Sequence, residues 1–377
     1  IHDILVCSGY KTGLFISPHL EEFNERIQVN KVPIDKDSLI RITQLVKEKI
    51  DIMHEEGYDD LTEFEIITAI GFKYFEEQKI DILVLEVGMG GRFDASNVVQ
   101  NTLVSIIGSI SLDHTEYLGK TVGEIAFEKA GIIKENSNVV IYPQEEEIVR
   151  VIKAEANKKN AAIFMTDMKN IRKIKSDLTG QTFAYLNVDV FNLHEIKINF
   201  LGNYQLCNVL TVIKTLEIIK NLGYNITEKN IIDGLFNCHF PGRFEILINN
   251  PIIILDGGHN INGIEYFSKT INENFGERKI ILFYGMLKDK NPEQVLGYLI
   301  PMSKKVYTIT PNSSRAVNSI EMAKLIHKHF AQEVIPLNEI VDVVDIIKEI
   351  DKDEIVAFVG SLYMIGEVRT LLKKHFK

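Results

Sequence analysis

The sequence is short of cysteine, of uninterrupted apolar stretches and of positive charge. Its three cysteines, Cys7, Cys207 and Cys238, are an odd number without Cys-x-x-Cys spacing. That argues against a disulfide framework or a zinc site and for buried thiols in a reducing, cytoplasmic compartment. No run reaches the ~18 apolar residues a membrane helix needs, which excludes a spanning protein and a membrane partner. Lys and Arg number 42 against 52 Asp and Glu, a net charge of −10. A chain this acidic lacks the overall electrostatic footprint of a nucleic-acid binder. Fixed short-period repeats and low-complexity segments are missing too. What remains is ordinary: 45% hydrophobic and 25% charged residues over 377 positions, enough core for two domains.

Ile1, Ile4 and Leu5 share one helical face, and Gly9 is a natural stop. No N-cap residue, initiator Met or signal peptide comes before them, so the sequence reads as starting inside a helix whose beginning lies upstream. Segments of helical period cover 36–55 and 62–76, and short apolar runs stand at 14–16, 80–85, 102–107 and 138–142. The run 80–85 has the pattern of a strand buried on both faces. A helix over 122–130 is expected to stop at Gly131. From 161 to 200, short alternating runs between charged turns predict an antiparallel accessory region, and 203–222 returns to helix. Pro241-Gly242-Arg243-Phe244 reads as a hinge. Beyond it, strands at 252–255, 280–284, 306–309 and 355–359 alternate with helices. The pattern predicts an α/β fold of two domains with parallel sheets and right-handed crossovers.

Two motifs almost match and fail. Gly88-Met89-Gly90-Gly91-Arg92-Phe93 begins like a dinucleotide fingerprint, but Phe93 stands where its third glycine belongs and no helix follows. Gly119-Lys120-Thr121 looks like the end of a phosphate loop, yet position 114 is His and no strand leads into it.

In open α/β sheets ligands bind beyond the carboxyl ends of the strands. Ser17, Glu86 and His114 each follow a predicted strand there. A hydroxyl, a carboxylate and an imidazole suit Mg²⁺, which takes few protein ligands and completes its shell with water and phosphate oxygens. A carboxylate inside an apolar strand, as at Glu86, must be paired or metal-bound. Lys129 shares a helical stripe with Val122, Ile125 and Ile132, so it faces inward, either as a reactive amine or paired with Glu124 or Glu128. In the second domain, Asp256-Gly257-Gly258-His259-Asn260 links a strand to a helix, a turn that suits a phosphate or nucleotide. Lys288 and Lys290 bring cations to the same edge.

Taken in order, these segments resemble one family. Ser17-Pro18-His19-Leu20, Phe23-Asn24-Glu25-Arg26, Thr62-Glu63-Phe64-Glu65 and the stretch from Glu86 to Asn97 are similar to folylpolyglutamate synthase, often also a dihydrofolate synthase, of the Mur-ligase superfamily. So are Leu112-Asp113-His114-Thr115, Lys129-Ala130-Gly131-Ile132, Asn208, Pro241-Gly242-Arg243-Phe244, Asp256–Asn260 and Gly360-Ser361. The resemblance implies a Mur-ligase-like α/β fold: a parallel-sheet, ATPase-type domain over 1–243 and a smaller Rossmann-like glutamate-ligase domain over 244–377. It implies ATP-dependent ligation of L-glutamate to a folate or to dihydropteroate through an acyl phosphate, by a monomer. Carried over by motif, Ser17, Glu86 and His114 become Mg²⁺ ligands, and Lys129 becomes the lysine that is carbamylated in this superfamily. Glu86, His114, Lys129 and His259 then form the catalytic set. Asn208, Arg243, Asp256 and His259 become ATP contacts. Thr62, Glu63, Phe64, Glu65, Phe93, Asp94 and Ala95 become folate contacts. Gly258 stands where the family usually has alanine. The family's Gly-rich phosphate loop would precede Ile1, and a chain that truly began there would be nearly inactive. The alternatives are a non-catalytic remnant that binds folate or nucleotide, and another Mur-type amino-acid ligase.

Overall fold

Helix α1 (His2–Cys7) stops at Gly9, whose φ of +89° suits a residue without a side chain. Its Ile4 and Leu5 are buried, and Ile4 lies so close to Gly234 that a Cβ there would stand 2.6 Å from Ile4 Cγ1. The computed structural model describes residues 1–187, 189–288 and 292–376. The chain forms two compact units. One comprises 1–175, 182–198 and 206–238, and the other 176–181, 199–205 and 239–377.

In the first unit, β1 (Thr12–Phe15), β2 (Ile27–Val29), β3 (Val32–Pro33), α2 (Lys36–Glu55), α3 (Glu63–Gln78) and β4 (Ile82–Leu85) follow α1. The sheet has the order β3-β2-β1-β4, with β1 antiparallel to β2 and parallel to β4. A parallel pair needs a long crossover, and α2 with α3 supplies it. Phe15, Ile27, Ile42, Ile67, Ile70 and Phe75 form the core beneath. Strand β4 is not buried on both faces as its run suggests. Only Ile82 is fully buried, because β4 ends its hydrogen-bonded ladder.

Next come β5 (Ser105–Ile107), α4 (Thr115–Leu118), α5 (Val122–Lys129), β6 (Asn138–Ile141), α6 (Glu146–Lys158) and β7 (Ala162–Met165). Strands β5-β6-β7 form a parallel sheet, over a core of Ile107, Ile125, Val139, Ile148 and Ile152. Residues 162–165 therefore belong to this sheet, and the accessory region starts only at β8 (Ile171–Asp177). Thr121 caps α5 through a capping box with Glu124, the ordinary helix start that the failed phosphate loop leaves. Helix α5 does not stop at Gly131 by a left-handed turn. It runs into a 3₁₀ turn, Ala130–Ile132, and Gly131 has no positive φ. Its missing side chain has another cause: a Cβ would stand 2.4 Å from Arg92 Cα. Strands β8, β9 (Gly180–Tyr185) and β10 (Ile196–Ile198) make a small sheet of order β10-β9-β8, before α7 (Asn203–Asn221) and α8 (Glu228–Phe236).

The second unit contains β11 (Glu245–Asn249), β12 (Ile252–Asp256), α9 (Ile261–Phe275), β13 (Ile280–Tyr284), α10 (Pro292–Leu299), β14 (Ser303–Thr308), α11 (Ser319–His329), β15 (Val334–Pro336), α12 (Asp342–Glu349), β16 (Ile355–Val359) and α13 (Leu362–His375). Its sheet has the order β11-β12-β16-β13-β14-β15, parallel throughout except for the β11–β12 hairpin. The residues of β13 and β16 are buried along their whole length, as strands covered on both faces by helices require.

Candidate active site

Ser17 and Glu86 lie just past the parallel strands β1 and β4, whose ends pair Phe15 with Leu85. Glu86 N–H donates to the Phe15 carbonyl at 2.9 Å, extending the ladder. Its Oε2 accepts from the Ser17 backbone N–H at 2.8 Å. These two residues are brought together. His114 belongs to the loop beyond β5, in the other sheet. It adopts a left-handed conformation (φ +49°) at the start of α4, and its N–H donates to Asp113 Oδ1 at 2.9 Å.

Lys129 is half-buried at the last turn of α5. Burial pushes its amine below the usual lysine range, while the carboxylates of Asp113 and Asp94 oppose that shift. Lys129 is thus within electrostatic reach of the His114 loop and of the glycine loop after β4. Asp113 was no more than a motif neighbour in the sequence, because only folding sets it near Lys129.

The folate-side residues named by resemblance divide into two groups. Thr62 caps α3: its hydroxyl accepts from Glu65 N–H at 3.3 Å, and Glu65 Oε2 accepts from Thr62 N–H at 2.7 Å. The Thr62 hydroxyl, which also donates to Glu65 Oε2 at 2.7 Å, and the Thr62 N–H hold the exposed Glu65 carboxyl below the usual carboxylate range. Phe64 packs edge-on against Phe15, with centroids 6.0 Å apart, and under Gly88, where a Cβ would stand 2.5 Å from its ring. Glycine is needed at 88 for that approach. Asp94 closes the following loop, its Oδ2 accepting from Met89 N–H and its Oδ1 from Ser96 N–H, both at 2.9 Å. Ala95 opens the 3₁₀ turn that follows. Glu63 is exposed, and Phe93 is 88% exposed beside these anchored residues.

In the second unit Asp256 ends β12 and is 5% exposed. Its Oδ2 accepts from Phe244 N–H at 2.8 Å and its Oδ1 from Gly258 N–H at 2.6 Å. Burial pushes this carboxyl up, and the Arg243 guanidinium with the two amides opposes the push. The hinge is fastened again where Gly257 N–H donates to the Gly242 carbonyl at 2.8 Å. His259 Nδ1 lies 2.9 Å from the Gly257 carbonyl. A carbonyl only accepts, so Nδ1 carries the proton. Asn260 caps α9 by accepting from Gly263 N–H at 2.9 Å. Tyr204, at the start of α7, is missing from the sequence-derived set. Burial and the Asp256 carboxylate push its phenol far up, and its ring lies against Tyr266 at 5.2 Å. Asn208 stands one helical turn on, exposed, in the first unit. Lys288 is exposed, and its N–H donates to the Arg315 carbonyl at 2.8 Å. Lys290 lies outside the described residues.

Among the described residues no three His, Cys, Asp or Glu side chains gather as a metal cage. Mg²⁺ seldom uses such a cage, and one carboxylate with neighbouring oxygen donors is its usual protein share. The adjoining Glu86 and Ser17 fit that donor set.

Residues 40–216 match the Mur ligase middle domain and residues 242–362 the Mur ligase glutamate ligase domain. The chain is 32% identical to a dihydrofolate synthase/folylpolyglutamate synthase of Bacillus subtilis, over 99% of this chain and 86% of that protein. It superposes with a TM-score of 0.88 and 26% identity on a Mycobacterium tuberculosis folylpolyglutamate synthase complexed with ADP and AMPPCP, covering 98% of this chain and 86% of that one. An FPGS–AMPPCP–folate complex superposes with a TM-score of 0.80 and 27% identity, again over 98% and 86%.

Proposed function

The chain belongs to the folylpolyglutamate synthase/dihydrofolate synthase family of Mur ligases, and from that premise we propose that it joins L-glutamate to a folate, driven by ATP. A folate carboxylate oxygen attacks the γ-phosphorus, ADP leaves, and the glutamate amine then attacks the acyl carbon and expels phosphate. Dihydropteroate is a second acceptor, on the ground that the Bacillus relative carries both names. The observation that carries this reading is Glu86, a carboxylate just past a parallel strand and hydrogen-bonded to the Ser17 loop.

Ser17, Glu86 and His114 would hold Mg²⁺. The ion would neutralise phosphate charge as it develops, the main electrostatic help such a transfer needs. Lys129 is the residue assigned to carbamylation. Its buried amine, when uncharged, attacks CO₂ to form an N–C bond, releases a proton, and so becomes a carboxylate-like group. Arg243, Asp256, His259 and Asn208 are assigned to ATP. The backbone on either side of Arg243 is fixed, by the buried Asp256 at Phe244 N–H and by Gly257 N–H at the Gly242 carbonyl, and His259 is oriented by its Nδ1 at the Gly257 carbonyl. Thr62, Glu63, Phe64 and Glu65 with Phe93, Asp94 and Ala95 are assigned to folate, Phe93 and Glu63 as exposed groups and the others as their anchored frame. We divide the chain into an ATP- and folate-binding domain, 1–243, and a glutamate-ligase domain, 244–377, in line with the glutamate ligase domain match from 242.

The three cysteines are unbridged, and among the described residues no helix is long and apolar enough to cross a membrane. Both support a cytoplasmic enzyme, which we take to act as a monomer. The test incubates the protein with ATP, Mg²⁺, labelled L-glutamate and a folate, with dihydropteroate in parallel. Label should enter an acceptor one glutamyl residue heavier, with release of ADP. Binding of folate and ATP without incorporation would favour the non-catalytic remnant instead.

A further inference from the structure

Arg92 makes contacts that the ligation chemistry itself does not call for. It follows Gly90 and Gly91 in the loop after β4. Its Nη2 donates to the Phe127 carbonyl at 3.1 Å and to Glu155 Oε2 at 2.9 Å. Its Cζ stands 3.9 Å from the centre of the Phe127 ring. Its backbone N–H donates to the Glu128 carbonyl at 2.9 Å, and its own carbonyl accepts from Asn97 Nδ2 at 3.1 Å. Nε is buried 3.9 Å from Glu128 Oε1, with no acceptor at hydrogen-bond distance among the described residues. Glu155, on α6, is only 5% exposed and also pairs with Lys158 at 2.6 Å.

A carboxylate this buried must be paired, and the surrounding backbone shows what the pairing secures. A Cβ on Gly91 would stand 2.9 Å from the carbonyl oxygens of both Glu128 and Lys129, and one on Gly131 would meet Arg92 itself. Asn97 Nδ2 also reaches the Gly131 carbonyl at 3.3 Å, and Lys134 Nζ donates to Asn97 Oδ1 at 2.8 Å. The loop 88–97 and the segment 128–134 thus lie backbone against backbone, with the Arg92 side chain as the pin through α5 to α6. One carries Phe93, Asp94 and Ala95, and the other carries Lys129.

We infer that Arg92 is a positioning residue for the ligation: its ion pair with Glu155 seats the loop 88–97 on α5 and sets the folate-facing edge relative to Lys129. The inference rests on the reading of that loop as folate-facing. Arginine suits the task because its planar fork meets a carbonyl and a carboxylate together while stacking on a ring. The single ammonium of lysine does not. A shift of about 1 Å in a substrate-positioning group costs up to ~100-fold in rate, so a loosened loop is felt without any lost substrate contact.

The test compares Arg92→Lys, Glu155→Gln, their double variant and Lys158→Ala with the parent chain, all with the parent's circular dichroism. Each is measured for kcat, for KM of folate and of ATP, and for the folate dissociation constant by calorimetry. Arg92→Lys and Glu155→Gln should each raise the folate KM and dissociation constant about tenfold, with the ATP KM within about twofold. The double variant should be no worse than Arg92→Lys, because both changes break one pair. Lys158→Ala, which removes an exposed partner only, should stay within about twofold of the parent. If Arg92→Lys does not fold, Glu155→Gln, which keeps an acceptor oxygen in place, decides alone. Variants that hold the folate constants at parental values, or that move the ATP KM in step with them, would overturn the inference. A parent that binds folate without ligating would overturn the functional reading but leave the calorimetric comparison intact.

Discussion

Glu86 Oε2 and the Ser17 N–H are 2.8 Å apart, a single hydrogen bond that joins two loops 69 residues apart in the chain. It holds a carboxylate at the carboxyl end of two parallel strands, where ligands of open α/β sheets bind. Glu86→Gln keeps the volume and an acceptor oxygen for Ser17 but is a poor Mg²⁺ ligand. Ligation should fall at least about a hundredfold, with the melting temperature within roughly 4 °C of the parent. Glutamate incorporation near the parental rate would make Glu86 a structural residue.

Lys129 leads to a prediction about dissolved CO₂. Its amine is held below the usual lysine range by burial, so more of it is uncharged at neutral pH and able to react. Parent enzyme prepared free of CO₂ should lose activity and regain it on adding bicarbonate. Lys129→Ala should ignore bicarbonate but respond to short carboxylic acids, which replace the missing group. A parent indifferent to CO₂ removal would leave Lys129 as an ordinary buried amine.

Thr62 serves two ends at once, as a helix cap and as a residue assigned to folate. Thr62→Ala should destabilise the protein by about 1 kcal/mol, the usual cost of a lost cap, read from denaturant midpoints. Thr62→Ser, which keeps the hydroxyl, should recover most of that stability. Equal losses in both variants would mean that the methyl group, and not the cap, holds the end of α3.

Glu155 fixes a pH dependence. Burial alone would raise its carboxyl, but hydrogen bonds from Lys158 and Arg92 bring it below the usual range. A depressed folded value adds stability above the unfolded pKa, about 4.3 for glutamate. That stability disappears as pH falls through the folded value. Urea midpoints of the parent and of Glu155→Gln should therefore differ at neutral pH and converge in acid. A gap that stays constant down to about pH 3 would show that the ion pair contributes nothing to it.

Local signals carried much of the fold. Helix α2 is legible because its helical period runs over 36–55, the span it occupies. Helix α3 is announced by its helical period over 62–76, and Glu86 by an acid directly after an apolar run. What was not legible depends on partners distant in sequence. Strand β11 cannot be separated from the hinge it follows, and β15 is three residues long and ends in Pro336. Residues 162–165 open the region expected to be antiparallel, yet pairing with β6 makes them parallel. Gly131 looks like a helix stop, whereas the Arg92 backbone is what excludes a side chain there. Tyr204 is silent in the sequence because only folding puts its phenol near Asp256.

The central claim is that a folate carboxylate takes the γ-phosphoryl of ATP before it meets glutamate. The most direct measurement uses folate whose side-chain carboxylates carry heavy oxygen, with unlabelled ATP, water and glutamate, and mass analysis of the phosphate released. The carboxylate oxygen that attacks phosphorus stays with it when the amine expels the phosphate. The account predicts one heavy oxygen in phosphate for every glutamate joined. Product formed alongside unlabelled phosphate would contradict it.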